Sequence, residues 1–393
     1  MMYNFSAAAL SARIDPLLDA VLRQQRLVGA VVLVRQRGQE IYRRAAGYLD
    51  REAGTPMVDD AVFRLASVSK PIVSTAALAL VGQQRLRLDD LVAHWLPYFA
   101  PRQPDGSVAA ITVRHLLTHT AGLDYGFFQP PGGAYAQAGV SDGMDASRTS
   151  LEDNLRRLAT VPLAYAPGER WAYSIATDVL GAVIEAVTGL PLAHAVALLV
   201  TAPLAMRDTG FISTEPERLA VAYADRAAGE LQPRRLLDEG EDHLPFLDGM
   251  AGFTLSPARA RDAHAYPSGG AGMVGSALDF MRLLETLRQG GAPLLPPALV
   301  RQMGESQTGG FDLPFWPGRG FGLGFTVLTD PQLAATPEAA GTWRMGGTYG
   351  HSWFVDPVQE LSVVAFTNTA LEGMAGSFVT ELCQAVYGVE QGQ

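Results

Sequence analysis

Apolar and polar positions change period several times along the chain. The opening stretch MMYNFSAAALSARIDPLLDAVL spaces its apolar residues at helical intervals, broken by Arg13, Asp15 and Asp19, which predicts an amphipathic helix. Runs at 28–36 and 39–46 are β-rich and meet around Arg37 and Gly38, which predicts a hairpin. Helical patterns follow at about 71–82, 112–118, 151–159, 174–188 and 191–200, separated by Pro/Gly loops. Strand character returns at 321–328, 352–355 and 361–366, and a helix over 374–387 closes the chain.

Strands at both ends enclosing helices predict an α+β architecture: one antiparallel sheet assembled from both termini and flanked by helices, with an inserted, mostly helical lobe. The expected division is an α/β lobe from 1–88 and 266–393 and a helical lobe over 89–265, with a cleft between them. The loop 124–145, rich in Gly and Pro, is long for a plain connection. Its Tyr125, Phe127, Phe128 and Tyr135 are candidates to line a pocket, and an Ω-loop covering core is an equal reading.

Composition narrows the function. Of 393 residues, 30 are Lys or Arg and 40 are Asp or Glu, a formal charge of −10, which argues against a nucleic-acid partner. With 48% hydrophobic residues the chain can bury a large core. The single cysteine, Cys383, forms no intrachain disulfide and anchors no Cys/His zinc framework, so no metal or cofactor is expected and a reducing compartment is compatible. The N-terminus lacks a basic n-region, and apolar windows at 71–81 and 179–204 are interrupted before the ~20 residues of a membrane span. A soluble, cytoplasmic protein with no membrane partner is expected; the sequence sets no oligomeric state.

Three segments carry chemistry. Ser67-Val68-Ser69-Lys70 lies where a loop meets the apolar run IVSTAALAL, so Ser67 and Lys70 share one face near the first helical turn. The positive helix end favours an oxyanion near Ser67 and a neutral Lys70, which can then act as a base. An S-x-x-K pattern alone is also what a solvated helix face shows. Second, Trp171-Ala172-Tyr173-Ser174 follows the turn Ala166-Pro167-Gly168 and places Tyr173 at a helix start, its phenol free to point into the cleft. Third, Met345-Gly346-Gly347-Thr348 reads as a Gly-rich strand edge that lets backbone approach a substrate closely. Paired with the Ser67 amide, the Thr348 amide is a candidate oxyanion donor.

These boxes, in this order, resemble the serine β-lactamase and penicillin-binding superfamily, and within it the family VIII carboxylesterases. The segments LVGAVVLVRQRG, FRLASVSKPIV, HLLTHTAGL, WAYSIATDVLGAV, AYPSGGAGM, YGHSWFVD and TNTALEGM carry the resemblance over nearly the whole chain. It implies a two-lobed fold, Ser67 as nucleophile, Lys70 and Tyr173 as its proton-transfer partners, and hydrolysis of short-chain esters through an acyl-enzyme. The same total charge describes a neutral lysine with a neutral tyrosine and a charged lysine with a tyrosinate, so the base within the pair stays open.

The lactamase third box has Lys-Thr-Gly, and here Met345-Gly346-Gly347 stands in its place without the anion-binding lysine. The esterases resembled carry Trp-Gly-Gly, so Met345 replaces a rigid wall by a flexible thioether. Trp343 restores aromatic surface only if strand alternation turns it inward, and Arg344 faces away if Met345 faces the cleft. Tyr125, Phe128, Met345, Gly346, Gly347 and His351 complete the substrate-binding candidates. Rival readings are an acyltransferase with the same chemistry, a β-lactamase or D-alanyl peptidase, and a catalytically dead sensor; a weak lactamase side activity is compatible with the esterase reading. The pattern Gly139-Val140-Ser141-Asp142-Gly143 fits a nucleophile elbow but lacks the strand before it and the helix after it. His115 and His119 lack the glutamate of a zinc helix and are expected to cap or brace the fold.

Overall fold

The computed structural model describes residues 3–226 and 230–389. Its main sheet has eight antiparallel strands in the spatial order Arg319–Phe321, Thr326–Leu328, Trp343–Gly347, His351–Asp356, Leu361–Thr367, Gly29–Gln36, Gln39–Asp50, Thr55–Pro56. The first and last thirds of the chain therefore meet at its centre, where Ala30 faces Thr367 and Gln36 faces Leu361. The tight hairpin between the first two strands turns at Arg37 and Gly38, both at positive φ (51° and 81°), the geometry that matches strand twist.

Alternation along the central strands divides the core. Val31, Leu33, Val364 and Phe366 point to the large core beneath the sheet, whereas Ala30, Val32, Val34, Val363 and Ala365 point to a smaller cluster on the back. There the helix Ala7–Arg23 buries Leu10, Ile14, Leu18 and Val21, spaced to form one stripe, beside the helix Ser377–Tyr387. On the other face runs the helix Ser69–Gly82, buried at nearly every position, packed against Ala176–Thr188. Its Ser74, Thr75, Ala76, Ala77 and Ala79 are small enough for close neighbours.

Three elements differ from expectation. The strand expected at 321–328 is two short strands, because Gly324 adopts φ +117° and reverses the chain into a hairpin. The helix expected over 374–387 is interrupted at Gly376, giving Glu372–Ala375 and Ser377–Tyr387. The helix expected from 174 starts at Ala176, leaving Tyr173 before it, in chain without regular secondary structure. The loop 124–145 is ordered by a 3-10 turn, Gly126–Phe128, and a short helix, Ala134–Ala138. Among the described residues no single helix is long and apolar enough to cross a membrane.

Candidate active site

Ser67 lies in a 3-10 turn, Ala66–Val68, that runs directly into the helix Ser69–Gly82. Ala66, just before it, is held at φ +44°, a left-handed conformation that costs an alanine about 1–2 kcal/mol. The surroundings enforce it: the Leu65 amide donates to the Met273 carbonyl at 2.8 Å, and the Met273 amide donates to Ser69 Oγ at 3.1 Å. The turn thus presents Ser67 at a fixed angle to the pocket.

Lys70 is 1% exposed. Its Nζ lies 3.2 Å from Ser67 Oγ and 2.9 Å from the Gly270 carbonyl, with the rings of Tyr173 and Tyr125 at 4.6 and 5.0 Å. Burial pushes its pKa down to about 7, against the pull of the Asp178 and Asp142 carboxylates. Tyr173 shifts the other way: burial raises the phenol, and a hydrogen bond with Ser67 only partly offsets this. Of the two charge arrangements left open by the sequence, neutral lysine beside neutral tyrosine is the favoured one.

Two more residues brace this pair. The Ser174 amide donates to His119 Nδ1 at 3.1 Å, which leaves the ring proton on Nε2; the ring lies 4.9 Å from that of Tyr173. Burial and the nearby Lys70 keep His119 well below its ordinary pKa, hence neutral. Asp178 Oδ1 accepts from Ser268 Oγ at 2.8 Å and from the Gly270 amide at 2.6 Å, so the carboxylate fixes the glycine whose carbonyl holds Lys70. Nothing in the sequence reading singled out Asp178.

The strand Trp343–Gly347 closes the site. A Cβ on Gly347 would stand 2.4 Å from the Leu65 carbonyl, and one on Gly346 2.7 Å from the His351 carbonyl; glycine lets the strand end lie against the nucleophile turn. Thr348 follows at the pocket wall. Among the described residues, neither the Ser67 nor the Thr348 amide donates to a backbone acceptor, so both N–H groups are available to an oxyanion.

The cavity over Ser67 encloses about 270 Å³. Rings of Phe127, Phe128, Tyr173, Phe246, Phe253, Phe315 and Trp316 line it together with Leu247, Met345, Gly346, Met374 and Ala375; among the described residues no charged side chain does. The walls from 246–253, 315–316 and 374–375 were not anticipated. The sole sequence signal was the concentration of aromatics beside prolines in LPFLDGMAGF and FDLPFWPG.

Other candidates fall elsewhere. Tyr125 is 2% exposed and stacks beneath Phe127 at 4.4 Å, so it supports the wall rather than forming it. Gly347 packs on Leu65 behind the lining. His351 is fully buried; its Nε2 bonds the Arg64 carbonyl at 2.8 Å between the rings of Phe63 and Phe366. Burial takes its pKa down to about 4, making it a neutral structural residue rather than a substrate contact. Trp343 packs against Phe325 and Gly304, not on the pocket. Arg344 turns to the opposite face, where it pairs with Glu338 at 2.6 Å. Ser141 is 3% exposed and donates to Asp145 at 2.6 Å, serving the loop's own structure. His115 completes a capping box with Thr112.

The Beta-lactamase family profile matches residues 11–379. The chain belongs to this family. Esterase EstB of Burkholderia gladioli is 51% identical over 98% of this chain and 97% of its own. Among solved structures, EstCE1, described as a hydrolase with promiscuous acyltransferase activity, superimposes with a TM-score of 0.93 at 48% identity, covering 97% of this chain and 99% of its own. Simvastatin synthase from Aspergillus terreus shares the fold at 22% identity with a TM-score of 0.75, over 98% and 99% of the two chains.

Proposed function

We propose that this protein is a serine carboxylesterase that hydrolyses short-chain, uncharged carboxylic esters through an acyl-enzyme on Ser67. The observation that carries the reading is a serine hydroxyl 3.2 Å from a buried lysine whose pKa is lowered to about 7, under an aromatic pocket that no charged side chain among the described residues lines.

In the proposed cycle, neutral Lys70 takes the Ser67 proton as Oγ attacks the ester carbonyl carbon. The Ser67 and Thr348 amides hold the resulting oxyanion. As the carbon–oxygen bond breaks, the leaving alkoxide receives that proton from the Lys70 ammonium, with the Tyr173 hydroxyl, hydrogen-bonded to Ser67, as its relay. Water then enters, gives a proton to Lys70 and attacks the acyl carbon; the carboxylic acid leaves as the proton returns to Ser67. Every proton has a side-chain station, so the chemistry requires no cofactor. The cytoplasm suits a protein whose single thiol, Cys383, is buried and unpaired.

Steady-state assays of short-chain neutral esters test this: activity should fall about 10³-fold or more in Ser67→Ala and persist in Ser141→Ala. An inactive but folded Ser141→Ala beside an active Ser67→Ala overturns the assignment. A second reading, acyl transfer to an alcohol in place of water, is favoured by the apolar walls and by the acyltransferase activity in EstCE1's description. Product analysis with added alcohol separates the two.

A further inference from the structure

Behind the strand Trp343–Gly347, on the face away from Ser67, a cavity of about 130 Å³ is walled by Arg319, Arg344, Thr336, Glu338, Cys383 and Gln384. Among the described residues Glu338 is the one acid lining it, and its side chain is completely buried. Both carboxylate oxygens are already engaged. Oε1 takes Arg344 through Nε at 3.1 Å and Nη2 at 2.6 Å, and Oε2 takes Arg319 Nη2 at 2.8 Å and the Thr336 hydroxyl at 2.9 Å. Two guanidiniums thus share one carboxylate, leaving one positive charge uncompensated. Cys383 supplies no counter-charge, because burial pushes its thiol up to about 12.

Arg319 bears the imbalance. Its side chain is 8% exposed, and its Nη1 is buried with no hydrogen-bond partner. A buried guanidinium N–H left without a partner is costly, and the planar group is shaped for two oxygens of one anion. We propose that this cavity binds a small oxyanion, a carboxylate or inorganic phosphate, on the free edge of Arg319. The space is ample for an ion of that size. Arg344, already bidentate to Glu338, adds long-range attraction.

Calorimetric titration of the full chain with sodium phosphate and with sodium acetate, at ionic strength matched by sodium chloride, tests the proposal. Saturable one-site binding of either ion is expected; preference for phosphate or acetate identifies which oxyanion chemistry the site takes. Arg319→Gln should weaken that binding roughly tenfold or more, and Arg319→Lys, which keeps the charge but lacks the fork, should weaken it as well. The lysine variant serves if the glutamine variant does not fold. Absence of saturable binding by both ions, or undiminished affinity in a folded Arg319 variant, overturns the proposal. Dependence on Arg319 also separates this cavity from a carboxylate occupying the pocket at Ser67.

Discussion

Asp178 and Gly270 are joined by a 2.6 Å hydrogen bond from the glycine amide to the carboxylate, and the carbonyl of the same glycine receives Lys70 Nζ at 2.9 Å. The buried acid therefore acts on the lysine twice, by fixing its hydrogen-bond acceptor and by favouring its charged form through space. Burial opposes the charge on both groups, whereas each charge favours the other.

A pH profile reads this arrangement. The Lys70 pKa is lowered to about 7, so the neutral base is lost on acidification below that value, and kcat/KM should rise through pH ~7 to a plateau. Asp178→Asn keeps an acceptor for the Gly270 amide but removes the negative charge that favours the ammonium. The acid limb should then move to lower pH by on the order of one unit. A limb that stays in place, or moves upward, contradicts the assigned coupling.

Met345 offers a test of substrate charge. Among the described residues no charged side chain lines the pocket, and Arg344, the adjacent cation, is committed to Glu338 on the other face. Neutral esters should therefore show a higher kcat/KM than isosteric esters with a free carboxylate. Met345→Lys should raise the relative rate for the carboxylate-bearing substrate roughly tenfold, the effect of a charge-assisted hydrogen bond. Tenfold preference for the anionic ester in the unaltered protein would refute the account of this wall.

Gly347→Ala should damage both stability and activity. The new methyl would meet the Leu65 carbonyl at 2.4 Å, and overpacking of this kind costs about 1–3 kcal/mol. Because the displaced backbone is the turn carrying Ser67, kcat should fall even where thermal denaturation shows a folded majority. Unchanged kcat in the folded variant would mean that the close approach does not position the nucleophile.

Legibility in the sequence followed the range of each interaction. Ser67 and Lys70 could be paired because three residues separate them at a helix start, where geometry is nearly set by the chain itself. Tyr173 was legible through resemblance, not through its own context: it sits before its helix, held by His119 from a distant segment. Asp178 was hidden because it acts through Gly270, 92 residues away, and an aspartate in a first helical turn looks like an ordinary dipole partner. His351 misled for a related reason. Proximity to the third box in sequence put it near the site, but its ring is packed behind the strand between two phenylalanines. The aromatic walls at Phe246, Phe315 and Trp316 come from irregular segments with no period to read.

The central claim is that Ser67 carries the acyl group. Intact-mass and peptide-mapping measurements on acid-quenched protein, taken while it turns over a short-chain ester, test it most directly. The account predicts a mass increase of one acyl group, located on the peptide containing Ser67, absent from Ser67→Ala and present in Ser141→Ala. An acyl adduct on the Ser141 peptide, or full turnover by Ser67→Ala, would contradict it.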